Sequence, residues 1–399
     1  MFLVLNLQAH GLNDKGRVGI LAISDVLVIG GGVIGLSIAR ELHRKGVGTI
    51  TILERGSVGR EASYAAAGML APNTENDTHD DFYDLCAASC SMYPAFAAEL
   101  LAETGVAIEL ERSGTLYLSF NEGDSNVLNR RYLWQREAGV AVEHLSAEET
   151  LELEPFVSPA IRESLFYPDD WQVENRKLLI ALRRYAELNG IEIREQTEVG
   201  SLVTENGKVV CAKTDGETFF ASATVLATGA WTSFIKIDEV PVPVDVKPIR
   251  GQMISFHPPK KMFSKVVFSR RGYIVPRMDG RVLSGATVED AGFDRTPTEA
   301  GMVQLLTATD EIAPSLAGFN VVERWAGLRP FAVDGLPVLG EVPDIGNLFV
   351  ATAHFRNGIL LAPITAKVIS EKIVDGTSWK YLDVFGIDKQ RSKVFDAKG

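Results

Sequence analysis

Cross-linking, metal chelation and membrane spanning are all poorly provided for in this chain of 399 residues. Its three cysteines, Cys86, Cys90 and Cys211, are too few and odd in number for a disulfide framework, and none sits at zinc-ligand spacing with a histidine. No metal site is expected. No stretch approaches the roughly 20 apolar residues of a membrane helix. The apolar start "MFLVLNLQAH" lacks a basic lead-in and is too short for a secretory signal. Basic residues are the minority, 40 Lys and Arg against 52 Asp and Glu, for a net charge of −12. That sign argues against nucleic acid or an anionic membrane as a general partner. His10, His43, His79, His144, His257 and His354 form no triad pattern, and there is no internal repeat. A cytoplasmic protein without nucleic-acid or membrane partners is expected, and the length asks for two domains.

What is present begins with "VLVIGGGVIGLSIARELHRKG" at residues 26–46. Residues 25–29 are a continuous apolar run, as in a strand buried on both faces. Ile34, Ile38 and Leu42 recur at a spacing of four, which predicts a helix, and Gly46 closes it. "TITIL" predicts a second strand ending at Glu54. Gly30, Gly32 and Gly35 form G-x-G-x-x-G between strand and helix, the setting that makes this motif informative. The first glycine serves a tight turn, the second admits a pyrophosphate to the backbone, and the third allows helix and strand to approach. Phosphates then meet the helix N-terminus, and Glu54 can accept hydrogen bonds from an adenosine ribose.

Further along, helices are predicted at 80–103 (interrupted or restarted at Pro94), 128–138, 147–154, 174–189 and 298–311. Strands are predicted at 114–120, in "IEIRE" and "KVVCAKT", and at 223–231, the last ending in a glycine turn. Asp279-Gly280 marks a hairpin turn in "GYIVPRMDGRVLSGAT", and "NLFVATAHFRNGILLAPITAKVISEKIVDG" predicts strand, loop and a last long helix. Parallel-type strands lie at both ends and in the middle, with antiparallel material between. The expected fold is mixed α/β. A Rossmann-like FAD-binding domain with a parallel sheet (residues 24–105, 170–240 and 325–385) is interleaved with an antiparallel-sheet substrate domain (106–169 and 241–324). Residues 1–23 are expected to be an extension outside the fold and 386–399 a tail. FAD suits the sequence better than NAD. "RGSVGREASYAAAGMLAP" after Glu54 is rich in small residues that can wrap a long cofactor, and Gly358 in "HFRNGILLAP" opens a second helix N-terminus late in the chain.

Glu54, "SYAAAGML", "LATGAW", "RWAGLRPFAVDGLPVLG" and "HFRNGILLAP" together resemble the D-amino-acid-oxidase-type flavoproteins, and among them the glycine oxidases of thiazole synthesis for thiamine. The likeness covers residues 24–376. It implies FAD contacts at Val33, Ile34, Glu54, Arg55, Ala62, Ser63, Ala67, Gly68, Met69 and Val199. It adds the loop His354, Phe355, Arg356, Asn357, Gly358, Ile359 and Leu360, with Gly229 and Trp231 in the late glycine turn. For the substrate it implies Arg329, Tyr273 and Arg356, with Met69 beside them. A guanidinium at Arg329 can clamp a carboxylate through two parallel bonds. The implied reaction is oxidation of glycine, sarcosine or small D-amino acids by hydride transfer from Cα to flavin N5. Dioxygen returns as hydrogen peroxide, and no protein acid or base is required. Two positions depart from the pattern. Arg271 stands where several glycine oxidases carry histidine, and Val288 follows "GAT" where methionine is common. Both are expected to border the substrate pocket, where Arg271 either recognises a second acidic group or points to solvent. No cysteine follows Cys211, so FAD is expected to be noncovalent. A homo-oligomer is expected. The alternatives are a D-amino-acid dehydrogenase with a quinone acceptor and a flavin-binding subunit without catalysis.

Overall fold

The computed structural model describes residues 23–387; all of the expected extension but Ile23, which begins the first strand, and nearly all of the expected tail lie outside them. The apolar run after residue 22 forms the strand Ile23–Ile29, which pairs in parallel with Ile50–Leu53 on one side and Thr218–Leu226 on the other. The parallel layer continues outward through Glu192–Arg194 at one edge and Leu348–Thr352 beside Thr218–Leu226. Both Ile50–Leu53 and Leu348–Thr352 are buried at every position, which is why their sequences are continuous apolar runs without alternation. This ten-stranded sheet is completed by antiparallel strands, among them Val199–Glu205 and Lys208–Thr214. The helices Val33–Arg44, Asp81–Thr104, Asn175–Leu188 and Gly358–Asp375 pack on it and share one apolar core.

A second, eight-stranded sheet is antiparallel apart from one parallel pairing, between Val266–Ser269 and Thr115–Ser119. The hairpin of Gly272–Pro276 and Val282–Gly285 turns at Asp279-Gly280, where Gly280 has φ +89°. One strand runs longer than the sequence pattern shows. Val321–Ala332 pairs with Val246–Phe256, in register from Ser255↔Glu323 to Val246↔Ala332, with a bulge before the last pair, Phe256↔Val321. Residues 325–332, grouped above with the cofactor unit, therefore belong to the antiparallel sheet, because backbone pairing outweighs the mixed polarity of "VVERWAGLRPFA". The helix expected at 128–138 begins earlier, at Glu122, capped by Asn121 Oδ1 accepting from Asp124 N (3.0 Å). The strand expected at 223–231 ends at Leu226, and its glycine turn is the 3₁₀ segment Gly229–Phe234.

Asp81–Thr104 runs unbroken through Pro94. By length and composition it could cross a membrane (mean hydropathy 1.3), which corrects the expectation that no stretch could. In this fold its side chains Leu85, Cys86, Tyr93 and Leu100 enter the core shared with Gly358–Asp375. Gly358–Asp375 contains Pro363, which has no N–H to give the carbonyl four residues earlier, that of Ile359. The Tyr93 hydroxyl donates to Ile359 O instead, and Ser89 Oγ donates to Leu360 O (2.6 Å). The proline is tolerated because a neighbouring helix supplies the missing donor.

At the start of the first helix, a Cβ on Gly35 would lie 1.9 Å from Gly30 O, so the helix could not sit so close to its strand. Gly35→Ala should destabilise the FAD-saturated protein by about 3 kcal/mol, as overpacking against fixed backbone does. Urea denaturation of the two proteins side by side measures the difference.

Candidate active site

The C-terminal ends of the parallel strands open onto one continuous cavity of about 1670 Å³, part of it solvent-open, between the two sheets. Its floor is the glycine turn. Gly30 has φ +107° and leaves no room for a side chain, since a Cβ would sit 2.3 Å from Ala227 O. A Cβ on Gly31 would press on Val58 and Glu54, whereas one on Gly32 would meet only Ser63 Oγ at 3.3 Å. Gly32 is therefore the glycine whose missing side chain leaves space for a ligand. It gives the helix Val33–Arg44 no side-chain cap, and Ser63 Oγ accepts from Val33 N (3.0 Å). Glu54 is buried, and its two carboxylate oxygens accept from Gly31 N (2.8 Å) and Gly56 N (2.7 Å). The remaining lone pairs of such a carboxylate can take two ribose hydroxyls.

The small-residue segment after Glu54 is held from both domains. Asn175 Nδ2 donates to Ser63 O (2.8 Å), and Arg277 Nη2 donates to Ala67 O (2.8 Å). Ala62, Ser63, Ala67, Gly68 and Met69 thereby line the cavity, as do Val33, Ile34, Val199, Gly229 and Trp231. Arg55 lies 4.0 Å over the Trp231 ring and 3.2 Å from Glu61. From the other side comes the loop between Leu348–Thr352 and Gly358–Asp375, where Ala353 (φ +58°) and Phe355 (φ +46°) take left-handed conformations rare for side-chain-bearing residues. His354, Phe355, Arg356, Asn357, Gly358 and Ile359 line the cavity. Glycines that spare the backbone, an uncapped helix start and a carboxylate at the strand end together fit an extended dinucleotide such as FAD.

Arg329 and Tyr273 reach the same cavity from the antiparallel sheet, and each lies across a glycine of the neighbouring strand. A Cβ on Gly251 would fall 2.2 Å from Arg329 Nη1, and one on Gly285 would fall 2.8 Å from Tyr273 Oη. Arg329 Nη1 donates to Thr287 O (3.0 Å). Phe355 N donates to Pro330 O (3.0 Å), which ties the arginine's strand to the cofactor loop. Burial lowers the Arg329 guanidinium from its ordinary value, and burial raises the Tyr273 phenol, so the phenol keeps its proton. Arg356 is raised, first by the charge of Glu75. His354 is buried, with Nε2 3.0 Å from Thr365 Oγ1, and burial lowers it to about 3. It is a neutral structural residue.

Three expectations need correction. Arg271 does not reach the cavity; it lies at the turn before Gly272 and pairs with Glu311 (2.8 Å) and Asp124 (3.4 Å). Val288 is 62% exposed and does not line the cavity either. The Leu360 side chain is buried in the helical core, one residue past the loop's contact with the cavity. Gly35, the third glycine of the motif, serves the close approach of helix and strand as expected and does not line the cavity. The sequence reading passed over Glu75, Gly251 and Met253, which also line the cavity. Gly251 had a signal, a lone glycine inside an apolar strand, which marks a close approach; Glu75, in "APNTEND", had none. Among the described residues no group of side chains is arranged to hold a metal ion.

Residues 25–372 match the model of the FAD dependent oxidoreductase family (DAO). The chain is 36% identical over 372 residues to the glycine oxidase of Geobacillus kaustophilus (strain HTA426), covering 93% of this chain and 98% of that one. It is 35% identical to a bifunctional ThiO/ThiG protein of Trichormus variabilis, of which it covers 54%. The crystal structure of glycine oxidase from Geobacillus kaustophilus superposes with a TM-score of 0.87 at 34% identity, over 92% of this chain and 99% of that one.

Two outcomes follow from this geometry. In Gly251→Ala the flexible end of Arg329 must move, so stability and flavin content should change little. The KM for an amino-acid substrate should rise about tenfold to a hundredfold, the scale of an ångström-level misplacement, as read by steady-state kinetics. His354 stays neutral in the folded protein but takes a proton near pH 6.5 when unfolded, so its contribution to stability is lost as pH falls below that value. Between pH 7 and pH 5 the wild type should lose about 2 kcal/mol relative to His354→Gln in denaturant titrations.

Proposed function

The chain belongs to the FAD dependent oxidoreductase family (DAO), and from that premise we propose that it oxidises glycine and other small amines bearing one carboxylate. The observation that carries this reading is the pair Arg329 and Tyr273, each laid over a glycine in the cavity whose floor is Gly30, Gly32 and Glu54. In the proposal, Gly32 and the helix start at Val33 hold the pyrophosphate, and Glu54 holds the ribose. The segment Ala62–Met69 and the loop His354–Ile359 enclose the rest of the cofactor. FAD bound there would supply an acceptor for the hydride of the substrate Cα and a route for the electrons to dioxygen.

The chain's own part is orientation. The forked N–H groups of Arg329 receive the carboxylate, and the protonated Tyr273 phenol donates to it, which fixes the Cα position. Buried walls exclude water and strengthen these bonds. His354 is neutral and, among the described residues, no other histidine lines the cavity, which suits a reaction that starts from an uncharged amine without a protein base. The imine formed from glycine is a reagent suited to thiazole synthesis, and we extend the proposal to that role. The cytoplasmic location is supported by three free, buried cysteines, Cys86, Cys90 and Cys211, as in a reducing compartment. The homo-oligomer carried over from the family resemblance is read out by sedimentation.

Arg329→Ala should keep its flavin spectrum and lose substrate affinity by about 30-fold to several-thousand-fold, the cost of removing one partner of a desolvated pair. Arg329→Lys should also be impaired, since it keeps the charge without the fork. Peroxide release with glycine, followed in all three proteins, checks this; wild-type KM in Arg329→Ala would refute the carboxylate assignment.

A further inference from the structure

The pocket read above as a carboxylate site contains an acid that the proposed reaction does not use. Glu75 lines the cavity, and its Oε1 lies 3.7 Å from Arg356 Nη2. It ends the four-residue helix Pro72–Glu75, whose surroundings are polar and buried. Asp170 accepts from Asn73 N (3.0 Å), Asn73 Nδ2 (2.8 Å) and Thr74 N (2.7 Å). Arg131 Nη1 donates to Thr74 O (2.8 Å) and Asn76 O (2.9 Å), and Gln135 Nε2 donates to Asn73 O (2.7 Å). Buried networks of this kind are costly and rigid, and the charged group that this one presents to the cavity is Glu75.

The charges acting on Tyr273 come from Arg329, Arg356 and Glu75. Two cations and one anion leave a single positive charge, which one carboxylate on an uncharged amine cancels. A second carboxylate would find Arg356 already paired and Glu75 of like charge beside it, in a space where such repulsion is weakly screened. We propose that Glu75 sets the charge of the substrate. By neutralising Arg356 it restricts the pocket to amines with one carboxylate, and Arg356 is a latent site for a second anionic group. This rests on Arg329 being the first carboxylate site.

Titration of the flavin absorption spectrum with non-reacting anions tests the idea without turnover. Acetate carries one carboxylate, malonate two, and malonamate matches malonate in size with one charge. In the wild-type holoprotein, malonate should bind about tenfold more weakly than malonamate, the effect of one like charge at this range. In Glu75→Gln the malonate-to-malonamate ratio should shift by about tenfold or more toward malonate, and in Glu75→Asp the wild-type gap should remain. Equal binding of malonate and malonamate to wild type overturns the proposal with no variant needed, as does an unshifted ratio in a flavin-loaded Glu75→Gln. Acetate that binds wild type and Arg329→Ala alike overturns the reading of the pocket itself, which is a distinct result.

Discussion

A buried guanidinium joins the two halves of this molecule. Arg277 stands on the hairpin of the antiparallel sheet, yet its partners lie in the cofactor half. Nη1 donates to Gln172 Oε1 (2.9 Å) and Val173 O (2.9 Å), Nη2 to Ala67 O (2.8 Å) and Asn175 Oδ1 (3.1 Å), and Nε lies 3.3 Å from Glu174. Burial lowers the guanidinium from its ordinary value, opposed by the charge of Glu174. Removing one partner of such a pair leaves a bare buried charge, at a cost of about 3–5 kcal/mol. The constraint reaches the site through Gly68, where a Cβ would lie 2.1 Å from Val173 O. Arg277 is thus one of the groups that hold the small-residue segment over the cavity, beside Asn175 and Val173.

Much of the site is made by what is missing. The three consecutive glycines divide their work: Gly30 yields to Ala227 O, Gly31 yields to Glu54 and Val58, and Gly32 meets only Ser63 Oγ. Gly251 and Gly285 do the same on the antiparallel sheet, giving Arg329 and Tyr273 flat beds. Glycine in a strand weakens it, and here both positions lie next to longer paired strands that hold the backbone regardless.

The dinucleotide half was legible because its signals are local. A buried strand, a spacing of four in the helix and a carboxylate 19 residues beyond Gly35 (54 − 35) all sit within one short stretch. The Asp279-Gly280 hairpin was legible for the same reason. What was not legible depends on pairing between distant segments. Val321–Ala332 mixes polar and apolar residues, and only its partner Val246–Phe256 makes it a single strand. Arg271 stands close to Tyr273 in sequence, but it sits in a turn that aims it at Asp124 and Glu311. Spacing carried its position over correctly and could not carry its direction. Glu75 was silent because the residues that place it, Asp170, Arg131 and Gln135, come from elsewhere in the chain.

The proline in Gly358–Asp375 has a reach beyond its own turn. Because Pro363 gives up one helical hydrogen bond, the geometry of the helix start at the cavity is lent by Tyr93, 266 residues away along the chain. The helix end that lines the cavity is therefore a tertiary object, shaped by Asp81–Thr104 as well as by its own sequence. Local helix propensity does not supply that bond, so the form of the cavity depends on contact between the early and late parts of the chain.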